Sequence, residues 1–172
     1  YVIPNSDGAG VIEAVGDGVD ADQIGQRVWL YQAQFARRFG TAAEYIAIDA
    51  RRAPLLPEAA SFEVGACMGI PAMTAHRCVF ADGDVGGHTV LVTGGAGRVG
   101  HDAVQWASQA GARVIATASN DEDKAVCEAA GAAAVVNHRD ADLVNAIMRA
   151  NDGALVDRIV DVEFGGNLST SI

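Results

Sequence analysis

With 172 residues, 50% of them hydrophobic and 20% charged, the chain has room for one full domain or parts of two and the composition of a globular protein. A net charge of −10 speaks against a general nucleic-acid or membrane-surface role, because both rely on clustered Lys and Arg to meet phosphate. No apolar run reaches transmembrane length and no secretory leader pattern opens the sequence, so the expected location is the cytoplasm, with neither nucleic acid nor membrane as partner.

The N-terminal stretch reads as short strands joined by turns: residues 10–15, the turn Gly16-Asp17-Gly18, then residues 27–30 and 43–48. The pairs Arg37-Arg38 and Arg51-Arg52 read as solvated loop positions. Pro54 and Pro57 close this β-rich piece, which is expected to span residues 1–57. A helix is expected over 61–69, with Ser61 as cap and Glu63 in its first turn, then an interruption at Pro71 and a second helix over 72–80. Cys67, Cys78 and Cys127 are odd in number, widely spaced and set among apolar residues. They suggest no disulfide framework, and Cys67 and Cys78 read as small core residues.

From residue 61 onward strands and helices alternate, the pattern of a parallel sheet covered by helices. Its centre is Thr89-Val90-Leu91-Val92-Thr93, a β-branched apolar strand that runs into Gly95-Ala96-Gly97-Arg98-Val99-Gly100. The spacing Gly-x-Gly-x-x-Gly after a strand and before a helix marks a dinucleotide site. Gly95 is expected to make the tight turn, Gly97 to let the backbone approach a pyrophosphate, and Gly100 to let the helix pack near the sheet. The Val99 N–H and the backbone of Ala96 and Gly97 would meet the anion at the helix start. Arg98 could reach the pyrophosphate or face water.

Val99, Ala103, Trp106, Ala107 and Ala110 form the apolar stripe of that helix, Gly111 ends it, and residues 113–117 supply the next strand. A helix over 121–130, a strand over 134–137, a helix over 141–150 and a strand over 155–160 follow. Four β units of about six are therefore expected, as in a piece of a longer protein or its ordered parts.

These motifs, together with Ser6-Asp7-Gly8-Ala9-Gly10-Val11, Gly25-Gln26-Arg27-Val28, Gly40-Thr41-Ala42-Ala43-Glu44-Tyr45, Gly69-Ile70-Pro71-Ala72-Met73-Thr74-Ala75 and Val136-Asn137-His138-Arg139, resemble the zinc-independent medium-chain dehydrogenases/reductases. Within that group the chain is similar to the quinone oxidoreductases related to zeta-crystallin. The resemblance implies an α/β fold: a Rossmann-type doubly wound parallel sheet over residues 58–172, short of its C-terminal strands, preceded by part of a GroES-like β-rich substrate domain over 1–57. Zinc-dependent relatives carry a His ligand where this chain has Ser6, and a four-cysteine lobe where it passes from Trp29 to Gly40 without a cysteine. No metal is therefore expected, since zinc needs three or four converging ligands.

The implied activity is NADPH-dependent hydride transfer to quinones or α,β-unsaturated carbonyls. Alternatives are a zinc-free alcohol dehydrogenase or enoyl reductase of the same family, and an NADPH-binding protein without turnover. Thr74 matches a family position near the nicotinamide, or bonds only its own backbone. His138 matches one beside the adenosine phosphate end, or is a surface histidine, and Asn167 matches one near the nicotinamide ribose. Ser119 belongs to the end of the second strand, Thr117-Ala118-Ser119-Asn120, where an NAD site usually carries an acid; its lack of charge favours NADPH. Asp121, Glu122 and Asp123 follow closely and either repel a phosphate or, with Ser119 or Asn120 as N-cap, read as first-turn acids complementing the helix dipole. Asp7 reads as a structural carboxylate rather than a base. No catalytic residue is assigned, and a homodimer is implied for a full-length protein.

Overall fold

The computed structural model describes residues 1–171, apart from the side chains of residues 169 and 170. The chain forms two compact units, Tyr1–Met73 and Thr74–Ile172.

In the first unit, strands β1 (Gly8–Val11) and β2 (Arg27–Leu30) pair antiparallel, with Gly8 opposite Leu30 and Val11 opposite Arg27. Alternation along β2 buries Val28 and Leu30, and Ala33 and Leu56 are buried in the same unit. Helix α1 (Phe62–Cys67) is capped by the Ser61 hydroxyl, which accepts the Val64 N–H at 3.3 Å. α1 packs on both strands so tightly at Gly65 that a Cβ there would stand 3.0 Å from Ala9 Cβ and from Leu56 Cδ1. Through that docking α1 is part of the first compact unit. Arg27 ties the connection down: its guanidinium donates to the carbonyls of Glu58 at 2.9 Å and Ala60 at 2.6 Å and lies 4.5 Å from the Phe62 ring centroid.

Two expectations fail in this unit. Residues 43–48 form no strand among the described residues, although their composition suits one. A strand exists only when a neighbour accepts its ladder bonds, and none lies alongside them here. Cys67 is exposed rather than part of the core. The helical path then bends through Met68–Ala72, where Gly69 leaves helical geometry at ψ −107° and Pro71 follows.

The second unit is built on a parallel four-stranded sheet of order β5-β4-β3-β6: β3 (Thr89–Val92), β4 (Arg113–Ala118), β5 (Ala134–Asn137) and β6 (Arg158–Val160). The last strand is shorter than expected, because residues 155–157 lie outside the ladder. The continuous apolar runs of β3 and β4 are buried on both faces. Val90, Val92, Val114 and Ala116 face one cluster with Ala103, Val104 and Ala107 of α3 (Arg98–Gln109), Cys127 of α4 (Asp121–Ala129), and Ala75 and Val79 of α2 (Met73–Phe80). Leu91 and Ile115 face the other, with Ile147 of α5 (Leu143–Ala150). The sheet is thus doubly wound, as expected. Cys78 is a second correction: the buried stripe of α2 runs through Ala75 and Val79, and Cys78 lies beside it, exposed. His76 packs against Phe80 and Trp106, with ring centroids 4.8 and 5.1 Å away.

The strand order reverses between β3 and β6. At this switch point Thr93 Oγ1 donates to Asp161 Oδ1 at 2.9 Å and accepts the Val162 N–H at 3.0 Å. Asp161 also accepts from Glu163 N–H and Asn167 Nδ2, each at 2.9 Å, and from Ser171 Oγ at 3.1 Å, which ties α6 (Phe164–Ser171) to the end of β6. Burial alone would raise the Asp161 carboxyl, but these hydrogen bonds outweigh it and hold it below the usual carboxylate value.

Candidate dinucleotide site

The glycine loop leaves β3 at Gly94, whose φ of +60° an L side chain rarely adopts. Thr117 of β4 anchors the departure: its hydroxyl accepts the Gly94 N–H at 2.9 Å and its carbonyl accepts the Gly95 N–H at 2.9 Å. The Gly97 N–H closes the turn on the Gly94 carbonyl at 2.9 Å. Gly97 then stands as the N-cap of α3 with no side-chain cap, and among the described residues the N–H groups of Ala96, Arg98, Val99 and Gly100 have no acceptor. Unfilled donors at an uncapped helix start form an anion cradle.

The division of labour among the glycines differs from the spacing rule. Gly94, not Gly95, carries the left-handed turn. Gly95 is a packing glycine: a Cβ there would lie 2.8 Å from Ala116 Cβ and 2.9 Å from Cys127 Sγ. Gly100 is confined more severely, since its Cβ would fall 2.1 Å from the Gly94 carbonyl oxygen. At Gly97 the nearest atom is the same oxygen at 3.2 Å, and the residue borders open space.

That space is a cavity of about 250 Å³ beyond the C-terminal ends of β3 and β4, lined by Gly94, Ala96, Gly97, Thr117, Ala118, Ser119, Asp123 and His138. The expected residues Ala96, Gly97, Ser119 and His138 meet here. Gly95, Arg98 and Val99 stand in the loop and first turn behind it without lining it. Thr74 is exposed in the first turn of α2 and lines no part of the cavity. Asn167 is half-buried, with its amide committed to Asp161. The His138 N–H donates to the Ala118 carbonyl at 3.0 Å, which holds the segment after β5 beside the strand end.

Asp123, whose sequence context favours a helix-dipole role over one facing a phosphate, is among the lining residues. Asn120 caps α4, its Oδ1 accepting the Asp123 N–H at 2.8 Å, so Asp123 occupies the third helical position. From there a side chain turns back toward the cap, as in a capping box. Asp123 Oδ2 accepts from Asn120 Nδ2 at 2.8 Å and Ser119 Oγ at 3.1 Å. The spacing Asn-x-x-Asp was the available signal. Asp121 and Glu122 are exposed in the same turn.

Asp7 lies in the first unit. Its Oδ2 accepts the Ile70 N–H at 2.9 Å, while its buried Oδ1 has no partner among the described residues. Burial raises its carboxyl above the ordinary value, against the Ile70 hydrogen bond that lowers it. Among the described residues no group of three or more His, Cys, Asp or Glu side chains could hold a metal ion, and no helix is long and apolar enough to cross a membrane.

Comparison with known proteins agrees with this architecture. Residues 99–170 match the family described as zinc-binding dehydrogenase. The quinone oxidoreductase of Rattus norvegicus is 37% identical over 171 residues, covering 98% of this chain and 50% of its own length. The crystal structure of Escherichia coli quinone oxidoreductase complexed with NADPH superposes with a TM-score of 0.84 at 28% identity, covering 96% of this chain and 50% of that one. An NAD-dependent alcohol dehydrogenase gives a TM-score of 0.91 at 28% identity, covering 99% of this chain and 56% of that one. The chain spans about half the length of the curated relatives it matches. With the glycine loop, the doubly wound sheet and likeness along nearly its whole length to quinone oxidoreductases, the chain is similar to the medium-chain dehydrogenases/reductases.

Proposed function

We propose that the chain is the dinucleotide-binding part, with a portion of the substrate domain, of an NADPH-dependent oxidoreductase that reduces quinones or α,β-unsaturated carbonyls. The observation that carries this reading is the uncapped start of α3, with free N–H groups beside a cavity at the C-terminal edge of a doubly wound sheet. The names of the relatives add support: quinone oxidoreductases, one of them complexed with NADPH. In this reading residues 1–57 belong to a partial GroES-like substrate domain and 58–172 to the dinucleotide domain.

The residues present fit such a cofactor. The Ala96, Arg98 and Val99 N–H groups would take the pyrophosphate, and the missing Cβ at Gly97 would let it approach the backbone. Ser119 and His138 would bound the adenosine end, and Thr74 and Asn167 would serve the nicotinamide end. When bound, the nicotinamide supplies the hydride. A quinone or enone is already electrophilic, so the protein's work is orientation and exclusion of water. The metal-free reading rests on Ser6 standing where zinc-dependent relatives carry a histidine. A homodimer and a cytoplasmic location complete the proposal.

The test is a titration of NADPH by its fluorescence, set beside loss of nicotinamide absorbance over a panel of quinones and enones. Binding together with turnover is expected from the full-length enzyme. Binding without turnover across the panel rejects the reductase reading in favour of a nucleotide-binding protein. Turnover only with alcohols or enoyl thioesters moves the assignment to the zinc-free alcohol dehydrogenases or enoyl reductases.

A further inference from the structure

The wall of the cavity carries an anion. Asp123 is half-buried there, while its neighbours Asp121, Glu122 and Lys124 are exposed. The hydrogen bonds from Asn120 and Ser119 to its Oδ2 hold the carboxylate back against the end of β4 and keep it from swinging into solvent. Its Oδ1 has no donor among the described residues and is free to accept. Among the described residues neither Lys nor Arg lines the cavity; Lys124 lies 3.9 Å from Glu128, one turn along α4.

The two dinucleotides differ only at the adenosine ribose. NADPH carries a 2′-phosphate, which needs cationic partners and is repelled by a carboxylate. NADH carries a hydroxyl pair, which donates to one. Solved relatives include both a quinone oxidoreductase complexed with NADPH and an NAD-dependent alcohol dehydrogenase, so the fold itself does not choose. Resting on the dinucleotide reading above, we propose that Asp123 is a specificity-determining residue. Its free Oδ1 accepts the adenosine ribose hydroxyls and lets this site take NADH beside NADPH. His138, on the same wall, offers the imidazole that can partner the phosphate when NADPH binds.

The experiment titrates the full chain with NADH and with NADPH, following nicotinamide and tryptophan fluorescence, in wild type, Asp123→Asn, Asp123→Ser and Glu122→Gln. Wild type is expected to bind both, with dissociation constants within about tenfold of each other. Removing the carboxylate strengthens NADPH and weakens NADH, moving their ratio by about tenfold or more toward NADPH, the scale of one charge on a phosphate dianion a few ångströms away in water. Asp123→Ser moves it in the same direction. Glu122→Gln removes the same charge from a residue outside the cavity and leaves the ratio within about twofold.

The proposal is overturned if wild type refuses NADH at a hundredfold its NADPH dissociation constant. It is equally overturned if the Asp123 variants leave the ratio unmoved, or if Glu122→Gln moves it as far. Failure of both dinucleotides to bind wild type overturns the dinucleotide reading itself, and this proposal with it.

Discussion

The two glycines of the α3 start separate folding from binding, and replacing each by alanine measures the separation. In Gly100→Ala the new Cβ falls 2.1 Å from the Gly94 carbonyl oxygen, 2.8 Å from the Gly94 carbonyl carbon and 3.1 Å from Gly95 Cα. All three are backbone atoms, so no rotamer relieves the contact. The oxygen must retreat by about 1 Å, which strains the Gly97 N–H bond it accepts. Overpacking of this kind costs about 1–3 kcal/mol. Loss of the turn bond adds about 1 kcal/mol, and the helix propensity gained from glycine to alanine returns about the same. The expected loss is therefore about 1–3 kcal/mol, or about 0.5–2 M in urea midpoint. In Gly97→Ala the backbone, at φ −73° and ψ 164°, accepts alanine, and the nearest atom is 3.2 Å away. The variant should lose no more than about 1 kcal/mol of stability, yet bind NADPH at least about tenfold more weakly, because its methyl occupies the face where the pyrophosphate must approach. Urea unfolding followed by far-ultraviolet circular dichroism gives the first quantity, and cofactor fluorescence gives the second. A Gly100→Ala protein with the wild-type midpoint, or a Gly97→Ala protein with wild-type affinity, would refute the assignment of these roles.

Thr93→Val keeps the shape of a buried residue but removes a hydroxyl that both donates to Asp161 and accepts from Val162, so a loss of about 1–3 kcal/mol in urea unfolding is expected; a change below about 0.5 kcal/mol would deny the network a structural role. Asp7 has a folded value raised above 3.8, so its contribution favours folding below that pH and is lost as pH climbs through the raised value. Asp7→Asn removes this slope, and its unfolding midpoint should improve relative to wild type as the pH rises above 3.8; a relative decline as the pH rises contradicts the burial argument. Arg27→Lys keeps the charge but cannot fork across the carbonyls of Glu58 and Ala60 while covering Phe62, and should cost the first unit about 1–2 kcal/mol in thermal or urea unfolding.

The sequence by itself determined the α/β alternation, the doubly wound sheet and the place of the anion cradle, because each rests on local patterning. The β-branched run Val90-Leu91-Val92, leading straight into the glycine turn, reads as a strand buried on both faces. The stripe through Val99, Ala103 and Ala107 reads as the helix face turned to a sheet. Where the sequence misled, the deciding partner lay far along the chain. Residues 43–48 have the composition of a strand but, among the described residues, no strand alongside to accept their bonds, and Cys78 sits beside a buried stripe whose direction only packing sets. The glycine roles depended on what each missing Cβ would strike: Ala116 and Cys127 for Gly95, the Gly94 carbonyl for Gly100. Spacing cannot report those contacts, since two of the three come from β4 and α4. Asp123 shows the same limit most plainly. Its position three residues after Asn120 was legible as helix capping, but capping and lining are different properties of one carboxylate. Only the folding of α4 back against the end of β4 made this first-turn acid part of the cavity wall.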